Sequence, residues 1–99
     1  MTSRCILLID GATKEQETAL SKFLSGRGYG WWHRMRHVWL IVRKGKAISL
    51  VEIRDKVTEI MPEANVLVVR SEYGWAIHSP TKWHEWLRDP WKEPGSNTN

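Results

Sequence analysis

The chain opens on an apolar run followed by a polar turn, Cys5-Ile6-Leu7-Leu8-Ile9-Asp10-Gly11-Ala12-Thr13-Lys14-Glu15-Gln16. A continuous apolar run of this length, ending at a turn signal, predicts a central β-strand covered on both faces. Thr13 and Gln16 have the spacing of a capping box, so a helix should follow. Its apolar stripe is Ala19, Leu20, Phe23 and Leu24, and Gly26 or Gly28 should end it with a left-handed residue.

The remaining elements follow from the same kinds of pattern. Residues 31–43 alternate in a way that predicts one long strand, with Trp31 and Trp39 on one face and Trp32 and Arg34 on the other. A capping box at Ser49–Glu52 predicts a second helix that ends before Pro62. Further elements are predicted as a strand at 66–69, a short strand at 75–78 and a short helix at 81–88.

This order of elements predicts an α+β fold. We expect a ferredoxin-like βαβ-αββ sandwich, in which a four-stranded, antiparallel-rich sheet carries two helices on one face and a short C-terminal helix follows. Residues 1–91 should form a single domain, and the polar residues 92–99 a disordered tail. One sheet face would then lack a cover from the two main helices, which predicts a homodimer.

Positive charge is concentrated in the middle of the chain. No Asp or Glu occurs between Glu17 and Glu52, whereas residues 27–46 alone hold six Lys or Arg, more than the whole net charge of +4. Cations pair with phosphates and flat rings stack on bases, so the segment predicts a nucleic-acid surface. Its candidate binding residues are Arg34, Arg36, Arg43, Lys44, Lys46, Trp32 and His33. The alternative is a solvated edge strand whose charges prevent aggregation.

The composition also bears on location. Cys5 is the only cysteine, so no internal disulfide can form, as is usual in a reducing compartment. The longest apolar stretch, Cys5 to Ile9, is too short to span a membrane, and the residues before it do not resemble a secretory signal. We therefore expect a cytoplasmic protein with no membrane partner.

Several of these residues resemble those of a known family. Asp10 follows a hydrophobic first strand, Trp31-Trp32-His33 is separated by five residues from Trp39-Leu40, and Val66–Val69 forms a later strand. Over roughly residues 4 to 88 the layout resembles small proteins with the fold of the CRISPR adaptation protein Cas-two, the SinR-like group. VapD-type toxins and GhoS-type antitoxins share that superfamily. Ile9 stands where a tyrosine is common in the family.

The resemblance implies a dimer that binds nucleic acid or cuts it with a divalent metal. The family's catalytic aspartate, at the end of the first strand, corresponds to Asp10, which would also be the Mg²⁺ ligand. Two copies of Asp10 across a dimer axis would supply the oxygen ligands that Mg²⁺ prefers. The alternative for Asp10-Gly11 is an ordinary turn after a strand.

Two hypotheses about function follow. The first is a small dimeric nucleic-acid-binding protein, RNA or DNA, of Cas-two-like fold, extended to a metal-dependent endoribonuclease or deoxyribonuclease if Asp10 is catalytic. The second is a non-catalytic interaction module, such as an antitoxin or a phage-encoded inhibitor of a bacterial protein. Aromatic residues and Arg are enriched at protein interfaces as well, so composition alone does not separate the two hypotheses.

Overall fold

The computed structural model describes residues 2–71, which form four strands and two helices. In chain order these are β1 (Thr2–Asp10), α1 (Lys14–Gly26), β2 (Gly30–Met35), β3 (Val38–Lys44), α2 (Leu50–Ile60) and β4 (Asn65–Ser71). The strands form one antiparallel sheet in the order β2-β3-β1-β4. This α+β arrangement of a four-stranded antiparallel sheet and two helices is compatible with a ferredoxin-like fold.

The long strand predicted for residues 31–43 is wrong, because the chain turns back at Arg36 and His37 and forms the β2–β3 hairpin. A two-residue turn alone reverses the phase of the alternation, since it pairs Met35 with Val38, but the register shift between Trp32 and Met35 restores it. Trp31 and Trp39 therefore still share a face, as a single long strand would place them. The gain from turning is that β3 pairs along its whole length with β1, including Leu7 opposite Trp39. The second helix therefore follows the third strand, and the predicted βαβ-αββ order becomes β-α-β-β-α-β.

Local signals fix the ends of both helices. The Thr13 hydroxyl accepts from the Gln16 amide at 3.2 Å, and the Gln16 side chain accepts from the Thr13 amide at 2.8 Å, which confirms the capping box. At the other end Gly28, at φ +79°, occupies the left-handed position. The Tyr29 amide donates to the Leu24 carbonyl and the Gly28 amide to the Ser25 carbonyl, which is a Schellman motif. The Ser49 hydroxyl caps α2 through the Glu52 amide.

The core lies between the sheet and the two helices. Alternate residues of β1 and β3 meet Leu20 and Leu24 of α1 and Ile53 and Val57 of α2. The predicted stripe of the first helix is confirmed apart from Ala19, which is exposed, and Met61 is fully buried at the end of α2. The strand side chains of this core are Cys5, Leu7, Ile9, Trp39 and Ile41. A stripe of this kind is what holds each helix to the sheet, because most helical stability comes from packing.

The opposite face of the sheet is apolar and partly open. Leu8 lies opposite Leu67 and Ile6 opposite Val69 across the β1–β4 pair. Alternation places all four side chains on the face away from the helix-covered core. Leu67 is 58% exposed and Val69 is 42% exposed. We call these four residues the β4 patch.

Several predictions fall on residues that the structure does not describe. The strand at 75–78, the helix at 81–88, the tail at 92–99 and the single-domain limit at residue 91 all lie outside residues 2–71. Within the described part of the chain, neither helix is long and apolar enough to cross a membrane. The cytoplasmic location stays a prediction.

The buried thiol of Cys5 makes the stability of the fold sensitive to alkaline pH. Burial raises the pKa of Cys5 from 9.0 to about 12, and the nearby Arg70 guanidinium opposes that rise. Between pH 9 and 12 the unfolded chain therefore loses a proton that the folded chain keeps, so the free energy of unfolding falls as pH rises. One such proton contributes up to about 1.4 kcal/mol per pH unit.

We expect Cys5→Ala to cost stability at pH 8, and this cost to shrink as pH rises above 9. Burial also raises the pKa of Tyr29, so Tyr29 adds to the alkaline loss in both proteins and cancels in the difference between them. Urea unfolding of both proteins at pH 8, 9 and 10 measures that difference. A gap that stays constant across this range would contradict the prediction.

Candidate nucleic-acid interface

The turn of the β2–β3 hairpin carries two exposed arginines. Arg34 lies near the end of β2, where the register with β3 shifts, and Arg36 lies in the turn itself. Both side chains are exposed, and neither forms an ion pair with any residue in the described range 2–71. Neither strand of the hairpin contains an acidic residue. The arginines are therefore available to an anion. We call Arg34 and Arg36 the hairpin tip.

A second pair of cations lies at the far end of the same hairpin. Lys44 ends β3 and Lys46 lies in the loop that follows, and both are exposed. β3 runs from Val38, next to the hairpin tip, to Lys44, which is six residue steps further on. At roughly 3.3 Å per residue, about 20 Å of strand therefore separates Lys44 and Lys46 from the hairpin tip. The structure thus divides the predicted basic surface into two groups. We call Lys44 and Lys46 the lysine pair.

Arg43 belongs to neither group, because it packs on the helix-covered side of β3. Its guanidinium lies 4.7 Å from the centre of the Tyr29 ring and donates to the Tyr29 hydroxyl at 3.2 Å. Burial raises the pKa of Tyr29, and the positive charge of Arg43 acts in the opposite direction. This contact ties the end of α1 to β3, so Arg43 supports the fold where the sequence predicted a phosphate contact.

His33 is also held in packing. Its ring stacks on Trp39 with centroids 3.9 Å apart and planes 6° apart. Its Nδ1 donates to the Val38 carbonyl at 2.9 Å, since a carbonyl can only accept, and its Nε2 lies 3.4 Å from the Glu17 carboxylate. These contacts join β2 to β3 and to α1. Both nitrogens of the imidazole therefore already have neighbours within the fold. Nucleic-acid binding by His33 stays a prediction.

Trp32 lies on the opposite sheet face from His33 and is 5% exposed. A base can stack only on a ring whose face is open to solvent. In this conformation Trp32 cannot provide that surface, and the alternation of Trp32 with Arg34 does not produce the predicted platform of rings and charges. Within residues 2–71 the hairpin tip is therefore a charged site with no openly exposed tryptophan beside it.

Asp10 ends β1 at the same end of the sheet as the hairpin tip. It is exposed and pairs with Asn65 of β4. Within residues 2–71 no three His, Cys, Asp or Glu side chains come together as a metal site would require. The described residues of one chain therefore offer Asp10 alone, which by itself does not fit a resident Mg²⁺. The catalytic and metal-binding roles of Asp10 stay predictions that depend on a second copy.

His37 anchors the hairpin tip, a role that no local sequence pattern indicates. The Ile9 amide donates to the His37 carbonyl at 2.9 Å, and His37 Nδ1 donates to the Ile9 carbonyl at 3.1 Å. This pair of bonds extends the β1–β3 ladder by one residue and holds the turn against β1. Recognising it would have required the hairpin to be known first, because the two residues are far apart in sequence.

Comparison of the chain with protein-family models, with curated proteins and with solved structures found no match. The resemblance to the SinR-like and Cas-two-like group therefore stays a prediction.

Proposed function

We propose that this chain is a small nucleic-acid-binding protein that contacts phosphates through the β2–β3 hairpin. The observation that supports the proposal is that Arg34 and Arg36 are exposed, close in sequence at one turn, and without an ion-pair partner among residues 2–71. Surface cations in a protein usually alternate with acids, as on α2, where Arg54 pairs with Asp55 and Lys56 with Glu59. A strand pair that keeps its cations free suits a polyanion.

The distribution of acids supports the same proposal. Within the described residues the helices carry Glu15, Glu17, Glu52, Asp55 and Glu59, whereas β2, β3 and β4 carry none. The chain therefore has a mixed-charge helical side and a basic hairpin edge. Such an asymmetry orients a polyanion toward the hairpin before contact, which raises the rate of association.

The dependence of binding on salt tests this function directly. We expect a fluorescein-labelled oligonucleotide, followed by anisotropy, to bind the chain at 50 mM salt and to lose affinity steeply by 200 mM. A complex with about four phosphate contacts should give a slope of log K against log salt of roughly −3 to −4. A flat salt profile, or no binding to any oligonucleotide at 50 mM salt, would refute the proposal.

We further propose that the chain forms a homodimer through the β4 patch. Leu67, at 58%, is the most exposed large apolar side chain on the described sheet, Val69 is 42% exposed, and Ile6 and Leu8 beside them are half-buried. No charged side chain lies among the four. Within residues 2–71 β4 is an edge strand, and exposed apolar surface on such a strand is costly in water and favours a partner. A second copy, with the same patch, supplies a matching apolar surface.

Replacing Leu67 with Glu should convert the dimer to a monomer. In a two-fold interface each substitution occurs twice, so two leucines are lost and two carboxylates face each other. Burial of one leucine contributes about 1.5–3 kcal/mol, so the dissociation constant should rise at least a hundredfold. Sedimentation equilibrium across a range of concentrations measures this change.

Val51→Glu is the matched control for this experiment. Val51 is 57% exposed, as Leu67 is, but it lies on α2 rather than on the sheet. We expect the Val51 variant to keep the association state of the wild type. If the wild type sediments as a monomer, or if both variants dissociate equally, the β4 patch is not the dimer interface.

The β4 patch is also the observation that favours the second candidate function, a non-catalytic protein-interaction module. An aromatic or aliphatic interface with another protein should change little between 50 and 200 mM salt, because its energy comes from apolar burial. Oligonucleotide binding and its salt slope therefore separate the two candidates. A chain that binds no nucleic acid but keeps an exposed β4 patch fits the second candidate.

A further inference from the structure

We infer that the nucleic acid recognised by the hairpin is a duplex, held by its phosphate backbone at two separate points. The inference rests on the proposed function and adds the substrate class to it. The two points are the hairpin tip, Arg34 and Arg36, and the lysine pair, Lys44 and Lys46. Both the spacing of these groups and the burial of the rings between them favour a duplex over a single strand.

The spacing follows from β3, which separates the two groups by about 20 Å. Within residues 2–71 the hairpin forms one edge of the sheet, because β2 is paired only with β3. The hairpin tip therefore lies at one end of this edge, and the lysine pair lies at the other. Along a B-form duplex about 20 Å corresponds to roughly six base-pair steps at 3.4 Å each. A duplex is stiff over this length and presents its phosphates at a fixed separation.

The tryptophan rings of the hairpin are buried or half-buried. Trp39 is 2% exposed and Trp32 is 5% exposed. Trp31 is half-buried, with its indole N–H donating to the Ser25 hydroxyl at 3.0 Å and its ring 5.5 Å from that of Trp39. Single-strand binding without sequence preference depends on open rings, each of which contributes about 1–3 kcal/mol by stacking. None of the three tryptophans of the described hairpin is openly exposed for stacking of this kind, and the exposed ring nearest the hairpin tip is the smaller imidazole of His37.

These two observations have a common consequence. A flexible single strand that bridged two points about 20 Å apart would lose conformational entropy, and the tryptophans of the hairpin are too buried to offset that loss by stacking. A duplex is already ordered and loses much less. The hairpin holds its cations at a fixed spacing, and a duplex holds its phosphates at a fixed spacing. A duplex is therefore the nucleic acid that this hairpin fits best. The backbone contact does not depend on the sugar, so duplex DNA and duplex RNA share the recognised chemistry.

The experiment compares four labelled ligands: a DNA duplex of about 20 base pairs, the RNA duplex of the same sequence, and one single strand from each duplex. A duplex of about 20 base pairs is longer than the distance between the hairpin tip and the lysine pair. Anisotropy titrations between 50 and 200 mM salt give affinity and salt slope for each ligand. We expect at least one duplex to bind at least tenfold more tightly than its own single strand. The duplex that binds more tightly shows whether the preferred ligand is DNA or RNA.

Variants then test the two-point contact. Lys44→Ala with Lys46→Ala, and separately Arg34→Ala with Arg36→Ala, should each reduce the magnitude of the salt slope on the duplex by about 2, since each removes two phosphate contacts. Lys14→Ala with Lys22→Ala removes the same charge from the exposed surface of α1 and should leave the slope unchanged.

Each outcome has a defined meaning. If a single strand binds as tightly as its duplex, the duplex inference is wrong while the proposed function stands. If the lysine variant keeps the wild-type slope, the two-point contact is wrong. If none of the four ligands binds at 50 mM salt, the proposed function itself fails.

Discussion

Arg34→Ala combined with Arg36→Ala should weaken nucleic-acid binding by about a hundredfold at low salt. A hydrogen bond to a charged group contributes about 1.5–3 kcal/mol, and two exposed arginines together lose about 3 kcal/mol at the low end of that range. The low end applies because both side chains are exposed, where water screens their charge. Anisotropy titration at 50 mM salt measures the change.

The same double variant should leave the fold intact. Exposed side chains with no partner among residues 2–71 contribute little to packing, so the free energy of unfolding should change by about 0.5 kcal/mol or less. A urea titration of the variant checks this. Loss of binding without loss of stability assigns the effect to the site, whereas a parallel loss of both would contradict that assignment.

Two control variants distinguish a site from a general field of positive charge. Lys14→Ala with Lys22→Ala lowers the net charge by the same amount from α1, and we expect binding to fall by no more than a few fold. Arg34→Lys with Arg36→Lys keeps the charge but removes the planar guanidinium fork that fits a phosphate, and we expect an intermediate affinity. If the α1 variant weakened binding as much as the hairpin variant, the hairpin would not be the site.

The parts of the fold that the sequence predicted depend on local signals. The apolar run from Cys5 to Ile9, the capping box at Thr13 and the left-handed Gly28 each determine structure within a few residues. Neighbouring backbone groups are enough to satisfy a cap or a Schellman motif, so such signals act almost independently of the rest of the fold. They fixed the first strand and both helices close to their observed bounds.

The hairpin could not be predicted in the same way. The turn at Arg36 and His37 contains no Gly, Asn or Pro, and those residues are the usual markers of a tight turn. Its stability comes from distant pairing, above all of Ile9 with His37 and of Leu7 with Trp39. A single sequence carries no direct record of such contacts, and with the register shift in β2 the alternating pattern of the hairpin is the same as that of one long strand.

The candidate site was predictable as charge but not as geometry. Alternation assigned Trp32 and His33 correctly to opposite faces of β2, yet it could not show how closely each side chain would be packed. Arg43 differs from Lys44 by one position, and this difference turns it toward Tyr29 and away from solvent. Charge counts treat the two residues alike, whereas the strand places one in packing and the other on the surface.

Trp39→Ala should be the most destabilising substitution on the hairpin. Trp39 is 2% exposed, its ring contacts Trp31 and stacks on His33, and its strand position faces Leu7 of β1. Truncating a fully buried tryptophan removes its apolar area from the core and leaves a cavity, at a cost of about 3–5 kcal/mol. For a domain of this size each kcal/mol corresponds to roughly 4–8 °C in melting temperature.

Two further variants on the hairpin show whether the loss comes from the buried ring. Trp39→Phe keeps an aromatic face for His33 and a larger volume, so it should cost clearly less than Trp39→Ala. Met35→Ala removes a side chain that is 42% exposed on the same hairpin and should change the free energy of unfolding by about 0.5 kcal/mol or less. Urea unfolding followed by circular dichroism measures all three without depending on tryptophan fluorescence.

The stability of Trp39 variants bears on function because Trp39 joins the two strands that carry the basic residues. His33, which stacks on it, also contacts the Val38 carbonyl and lies beside Glu17 of α1, so the ring of Trp39 supports the link between hairpin and helix. At a temperature where the alanine variant stays folded, we expect weaker duplex binding than in the phenylalanine variant, since a loosened hairpin no longer fixes the spacing of its cations. A cost below about 1 kcal/mol for Trp39→Ala would show that the hairpin is held mainly by its strand pairing.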